Sequence, residues 1–420
     1  MKKRDELLWV NNYICELFYN FMFNKELLIL LILVPLLNYG QKIKASKFGK
    51  GIINFRDKNN EWGFDLTGRI QLLTKNSWNK EGLNFRDSGS NSGLRRARLK
   101  FGGFGFSQKI TYYIELGLSE NDMLETSKFV SNLSSVVLDA WIKWNFYKNF
   151  SLLIGQSKLP GNIERIISSG KMALVDRSIL NREFNIDRDI GLKLMHKFKF
   201  SEKFYVKETF ALSQGEGRSV ISGNLGGYQY TTRLEFLPFG LFKNNGDYVG
   251  DDISYENNFK LNISATYDFN DNAVKSKSNM GEYLKNDLGY YKADIKTFFI
   301  NTHLKYRGLS LMGEYADRNS ADPFARNSDN TLTGDVVKTG SALNLHFGYV
   351  LPSKLAISAR YTSVEFDKFV TSNTNIKQYT LGVSKYILNH KLKFQSDLTF
   401  EESIYSVNSL FWRLQLEIHF

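Results

Sequence analysis

From Gly63 onward, apolar and polar residues alternate almost one for one in a long series of runs. In "FDLTGRIQL" Phe64, Leu66, Gly68, Ile70 and Leu72 share one face, and Asp65, Thr67, Arg69 and Gln71 share the other. In "RRARLKF" Ala97, Leu99 and Phe101 oppose Arg96, Arg98 and Lys100. "KITYYIELGL" sets Ile110, Tyr112, Ile114, Leu116 and Leu118 against Thr111, Tyr113, Glu115 and Gly117. "VVLDAWIKWNF" sets Val136, Leu138, Ala140, Ile142, Trp144 and Phe146 against Asp139, Trp141, Lys143 and Asn145. Side chains on a strand point alternately to its two faces, so a period of two predicts strands wetted on one side and apolar on the other.

Similar runs lie near 150–157, 189–198, 203–212, 228–237, 259–269, 297–306, 309–316, 342–350, 355–366, 376–387, 391–400 and 408–420. The total is about sixteen strands, and about 9–11 residues suffice to cross a bilayer when tilted. Tight joints at 102–107, 147–149, 307–308, 351–354 and 388–390 contrast with long polar ones at 75–93, 119–133, 158–187, 213–226, 238–257, 270–296, 317–340 and 367–374. Short turns at one end and long loops at the other predict an all-β fold, a transmembrane antiparallel β-barrel of about sixteen strands. The chain ends on "WRLQLEIHF", where Trp412, Leu414, Leu416, Ile418 and Phe420 alternate with Arg413, Gln415, Glu417 and His419. Pairing this strand with the first, near 64–74, removes both sheet edges, and lipid receives the apolar face.

Composition fits one such body. Proline numbers only 5, aromatic residues make up 15%, and there are 33 Phe and 22 Tyr. A mean hydropathy of −0.32 is too polar for a bundle of membrane helices and is tolerable in a barrel, where half of each strand faces water. "FNKELLILLILVPLLNYGQ" (23–41) has a basic start, an apolar core from Leu27 to Leu37 and a small residue at Gly40. That is the pattern of a secretory leader cut near Gly40–Gln41, with Met22 as its natural start. The domain reading is therefore 1–40 extension and leader, 41–62 periplasmic extension, and 63–420 barrel. Cys15, the single cysteine, lies before the apolar run and upstream of the cut, so the mature chain is expected to have no disulfide or thiolate chemistry.

A lumen can be polar only if it is wide and wet, and about sixteen strands leave such a channel. Its expected sign is positive. The formal net charge is +12, and Arg69, Arg96, Arg98, Lys100, Lys143 and Lys193 sit opposite the apolar face, with Arg360, Lys385 and Arg413 as further candidates. Asp65, Glu115, Asp139 and Glu417 share that face and offset part of the charge. The stretch 158–187 runs long without a strand and is rich in Ile, Leu and Arg. Long loops of this kind are commonly functional. An apolar, arginine-bearing loop is better placed inside the barrel than outside, as a constriction. There Lys158, Arg165, Lys171, Arg177, Arg182 and Arg188 reach the solute path, and Asp176, Glu183, Asp187 and Asp189 anchor it.

"LRRARLKFGG" (94–103), "YYIELGL" (112–118), "VLDAWIKWN" (137–145), "IGQSKLPGNIERIISSGKMALVDRSI" (154–179) and "EFNIDRDIGLKL" (183–194) resemble the phosphate-selective porin O and P family. The resemblance implies a sixteen-stranded homotrimeric porin of the Gram-negative outer membrane, with a path lined by arginine and lysine and narrowed by inward loops. The matching positions are Arg95, Arg96 and Arg98 on the second strand and Arg165 and Arg177 in the long loop. At 161–162 this chain has Gly-Asn where the family commonly carries Phe-Gly.

The expected function is passive diffusion of small anionic solutes such as phosphate, with no cofactor and no catalysis. The expected surroundings are outer-membrane lipid and lipopolysaccharide. The five histidines lack metal spacing, and Ser341 with His346 is the sole, unsupported hint of a lipase. Acidic runs at 245–252 and 317–330 read as solvated extracellular loops, with Ca²⁺ binding as the alternative. Basic charge spread over alternating strands is not a nucleic-acid patch. The competing function is a closed structural or adhesion barrel that binds a partner through its long loops.

Overall fold

The computed structural model describes residues 48–420 except 83, 124–131, 221–223, 372–374 and 405–406. The leader read at 1–40 and the start of the 41–62 extension lie outside these residues. Sixteen strands form the wall: β1 (Gly63–Glu81), β2 (Asn84–Gly105), β3 (Ile110–Gly117), β4 (Val137–Tyr147), β5 (Phe150–Lys158), β6 (Arg188–Lys199), β7 (Tyr205–Ser213), β8 (Gln229–Leu237), β9 (Lys260–Ala273), β10 (Ala293–Tyr306), β11 (Leu309–Asn319), β12 (Gly340–Val350), β13 (Leu355–Phe366), β14 (Ile376–Tyr386), β15 (Leu392–Ser403) and β16 (Ser409–His419). Each pairs antiparallel with the next, and β16 returns to β1, from Arg69 opposite His419 to Asn79 opposite Ser409. The barrel is closed.

The alternation in the sequence is the inside and outside of this wall. Ile142, Ile154, Leu345, Ile357 and Leu381 are exposed on the outer surface, while Gln71, Thr266, Asn344, Thr362 and Gln395 are buried within. The hint of a lipase fails on the same geometry, because Ser341 and His346 lie five residues apart on one regular strand and face opposite sides.

The chain's last residue completes the seam. Gly68 N–H donates to Phe420 O (2.6 Å) and Phe420 N–H to Gly68 O (3.0 Å). The Phe420 ring lies over the glycine, so a Cβ there would stand 2.3 Å from it. Gly68→Val is expected to displace the ring and lower the yield of heat-modifiable, folded barrel, a loss of about 1–3 kcal/mol from overpacking. Gly93→Val, with nothing within 4 Å of its Cβ, is the neutral control. Below the reach of β16, the short strand Ile53–Arg56 covers the remaining edge of β1 by pairing with Gly63–Leu66.

Two connections differ from the sequence expectation. Residues 75–93 are not a loop: β1 and β2 pair as far as Glu81 opposite Asn84, so the hairpin continues above the rest of the wall. Residues 238–259 follow the eighth strand and leave from the short-turn end, not the long-loop end. They turn into the barrel instead of lying solvated outside. Asp247, Asp251, Asp252 and Glu256 are buried. Asp247 pairs with Lys207, Asp251 accepts from the Tyr386 hydroxyl (2.6 Å), and Asp252 accepts from Gly308 N–H (2.8 Å). Hydrogen bonds of this kind make up for the water these carboxylates lose. No group of acids or histidines with metal-binding geometry occurs among the described residues.

A constriction and an arginine-lined cavity

Residues 159–187 cross the lumen and bind the far wall. They contain two short helical turns, Ile163–Ile166 and Ile179–Phe184. Leu159, Ile179, Leu180, Phe184 and Ile186 pack on a patch of the inner wall kept low by Ala211, Ala316 and Ala342. Each fully buried large apolar side chain contributes roughly 1.5–3 kcal/mol, which explains why a loop so apolar enters the barrel.

Polar anchors fix its path. Gly161 O accepts from Arg233 (2.7 Å), and Glu164 N–H donates to the Glu314 carboxylate (2.8 Å). Gln395 donates to Ala173 O (2.7 Å), Val175 N–H donates to Asp397 (3.0 Å), and Arg318 donates to Phe184 O (2.6 Å). Asp176 bridges Arg95 and Arg413 across the closing seam. Burial pushes its carboxyl up, but the two guanidiniums outweigh this and hold it below the usual carboxylate range. At the tip, Gly170 fits where a Cβ would stand 2.5 Å from Arg69 and 2.7 Å from Glu417. From the other end, Gly250 N–H reaches Lys171 O at 2.8 Å, so the two inward segments meet.

The far wall is thus filled, and open space remains beside β2–β6. A cavity of about 250 Å³ lies there, lined by Arg96, Arg98, Lys158, Arg165, Arg177, Arg188 and Arg218, with Asp122 and Asp187 as its carboxylates. The cations divide into two kinds. Arg98 binds Asp122 (2.8 Å) and Glu115 (2.8 Å), Arg165 binds Asp187 (2.6 Å), and Arg188 binds Asp139 (2.8 Å). Lys158 instead donates to Arg165 O (2.9 Å), Arg177 to Ile167 O (2.8 Å) and Glu164 O (2.9 Å), and Arg218 to Ser135 O (2.7 Å). Arg96 holds the Gln71 amide oxygen at 2.8 Å, with Asp122 no nearer than 4.0 Å. Carbonyl and amide oxygens orient these four groups without cancelling their charge. Burial and Arg188 lower the Arg218 guanidinium to about 10, so it remains charged at neutral pH.

Of the positions read from sequence, Arg96, Arg98, Lys158, Arg165, Arg177 and Arg188 converge on this cavity. Arg95 sits on the β2 bulge between Leu94 and Arg96 and anchors Asp176 instead. Arg69 is buried under the loop tip and donates to Ser169 (2.9 Å). Lys100 lies 3.6 Å from Glu115, and Lys193 donates to Lys158 O (2.9 Å). Lys143 occupies a half-buried position on β4. Arg182 is exposed beside Glu183, away from the cavity. Arg360 and Arg413 face inward as anchors of Glu164 and Asp176. Lys385 is a correction: it neighbours the buried, inward Tyr386 and is itself exposed on the outer face, bound to Ser353 O (2.7 Å). Arg218 was missed, since a single arginine in a polar loop gives no sequence signal.

The sequence model of the family described as phosphate-selective porin O and P matches residues 64–403. The chain belongs to this family. It is an outer-membrane channel rather than an enzyme. A protein of Aquifex aeolicus (strain VF5) described as uncharacterized is 23% identical over 324 residues, 71% of each chain. Among solved structures, a loop L8 deletion mutant of OmpT, an outer membrane protein of Vibrio cholerae, matches with a TM-score of 0.54 and 11% identity over 86% of this chain and 100% of its own. OmpF of Salmonella typhi in complex with daunomycin matches with a TM-score of 0.52 and 12% identity, covering 87% and 100%. An anion-selective porin from Comamonas acidovorans matches with a TM-score of 0.50 and 10% identity, covering 86% and 100%. At these identities the solved structures share the fold.

Proposed function

We propose that this porin passes small anions by diffusion, inorganic phosphate and phosphate-bearing solutes among them. The path runs between the inner face of β2–β6 and the inward segment 159–187. One observation carries the reading: the narrow cavity on that path is lined by seven cations and two carboxylates, and four of the cations meet neutral oxygens. Guanidinium and ammonium groups held this way replace part of an anion's water shell without trapping it permanently. The inner wall of β9–β15, whose Glu314, Arg318, Arg360 and Asp397 hold the inward segment 159–187, takes no part in selection.

The same reading includes a homotrimer. β3, β5, β7 and β8 contain only 8 or 9 residues. Tilted by about 40°, such strands reach roughly 20 Å, short of the roughly 25 Å apolar band of an outer-membrane barrel. That side is therefore suited to protein neighbours, and the longer strands β9–β16 to lipid.

The test is single-channel current in a planar bilayer across a chloride gradient, followed by phosphate titration. Anion-preferring steps blocked by phosphate are expected. Conductance indifferent to phosphate means a general porin, and no conductance means a closed barrel that works through its loops.

A further inference from the structure

The arginine-lined cavity is not polar all round. Met123, Leu138 and Met280 line it together with the cations, and the three meet around Arg218. Arg218 donates to Asp122 O and to Ser135 O (2.7 Å), so it lies against the turn that carries Met123 and the residues just before β4, where Leu138 follows. Leu138 and Asp122 pack at the same point on β3: a Cβ on Gly117 would stand 2.6 Å from Asp122 Cβ and 3.2 Å from Leu138 Cδ1. Met280 opens the short strand Met280–Tyr283, in the connection after β9. Its neighbour Asn279 touches the residue before Arg218, since a Cβ on Gly217 would stand 2.6 Å from Asn279 O. Lys158, Arg165 and Arg177 come instead from the inward segment and its root, where Lys158 donates to Arg165 O (2.9 Å) and Arg177 to Ile167 O (2.8 Å).

Leu138 is 2% exposed and Met123 41%, and Met280 is half-buried. The leucine therefore backs a patch whose open surface is thioether. Methionine side chains are flexible and polarisable and adapt to varied apolar partners. A bare oxyanion, hydrated on every side, brings no apolar surface to cover them. The cavity of about 250 Å³ has the volume of about eight waters, more than inorganic phosphate fills.

We propose that Met123, Leu138 and Met280 form an apolar collar beside Arg218 that favours short-chain alkyl phosphates over inorganic phosphate. The inference rests on the anion-channel reading and names the class of solute that the same cavity holds best. Both methionines belong to connections at the long-loop end, after β3 and after β9. The alkyl tail lies toward that end, and the phosphate lies with Arg165 and Arg177.

The experiment is single-channel block of the full chain by n-butyl phosphate, glycerol phosphate and inorganic phosphate, at a pH where all three are dianions. It compares wild type, Met280→Ser, Met280→Leu and the double variant Met123→Ser with Met280→Ser. Glycerol phosphate is close to the butyl ester in size and carries hydroxyls in place of the apolar tail. Neither methionine is part of a wall strand, so the ladder that folds the barrel is left intact. Covering one methylene fully strengthens binding about fourfold. With the tail partly open to the path, wild type is expected to be half-blocked by butyl phosphate at an about tenfold lower concentration than by either other anion. Met280→Ser is expected to narrow that ratio to about threefold, and the double variant to abolish it. Met280→Leu, apolar without the thioether, is expected to keep it. Equal block by butyl and glycerol phosphate in an anion-preferring wild type overturns the collar and leaves the channel reading standing. So does a ratio that the double variant leaves unchanged, or one that Met280→Leu loses as fully as Met280→Ser. A wild type without anion preference, or without conductance, overturns both.

Discussion

Replacing Arg96 and Arg177 together with glutamine is expected to remove most of the anion preference while the barrel still folds. Both groups line the cavity, and their bonded partners there are neutral oxygens at 2.8–2.9 Å. A unit charge about 6 Å from a passing anion, at an effective dielectric of about 40, contributes about 1.4 kcal/mol, or tenfold in occupancy. Two such charges, screened over about 10 Å at 0.1 M salt, still leave about a tenfold effect. The reversal potential in a salt gradient should move toward zero and phosphate block should weaken by about that factor. Arg98→Gln and Arg188→Gln together change the lumen charge by the same two units but take the nearest cation from a buried carboxylate each: Asp122 in one case, with Glu115 left to Lys100 at 3.6 Å, and Asp139 in the other. Breaking a buried pair costs about 3–5 kcal/mol, so this variant should lose folded yield first. Equal selectivity loss in the two sets at equal yield would mean that pairing does not matter to the solute.

The strands were legible because a wall between lipid and water imposes a period of two on every crossing. Where that constraint ends, the sequence pattern loses the information. Above the rim both faces of the β1–β2 hairpin are wet, so 75–93 looks like a loop although it is paired to its tip. Segment 238–259 carries acids, which composition reads as solvent-exposed. Counting strands would have put it at the short-turn end, since it follows an even-numbered strand, but nothing local says that it turns inward. Arg95 defeats the alternation for a physical reason. The register steps from Gln71 opposite Arg96 to Leu72 opposite Leu94, so Arg95 is the extra residue of a bulge and need not alternate. Only the family resemblance pointed to it. Lys385 fails the other way: near the end of β14 the outer wall meets water, and a polar residue there need not be a lumen residue. The cavity itself was half visible, because strand arginines obey parity while Arg218 reaches it from a loop.

Cutting the latch at Glu164 is expected to open the pore. One carboxylate there ties three parts together: it accepts from Ser178 N–H (2.8 Å) and the Ser178 hydroxyl (2.5 Å), and it pairs with Arg360 on β13 (3.2 Å). Glu164→Ala frees the second helical turn from the first and leaves the Arg360 guanidinium, 5% exposed, with only carbonyl oxygens for partners. The cost of about 3–5 kcal/mol for a stranded buried charge falls on the inward segment, since the sixteen-strand ladder does not depend on it. Single-channel conductance should therefore rise severalfold, and anion preference and phosphate block should fall together, with heat-modifiable mobility unchanged. Glu164→Gln, which still accepts from Ser178, should lie between. Acid acts on the neighbouring latch at Asp176. Its folded carboxyl is held below the usual range, so its contribution is present above the ordinary carboxylate pKa of about 3.9 and is lost only as pH falls through the lower, folded value. The Asp176 latch should therefore hold unchanged down to about pH 4 and weaken below it, so that Asp176→Asn, which cannot titrate, removes whatever rise in conductance occurs below that pH. An unchanged conductance in Glu164→Ala would mean that 159–187 does not set the narrowest point, and that the segment entering from the short-turn end does.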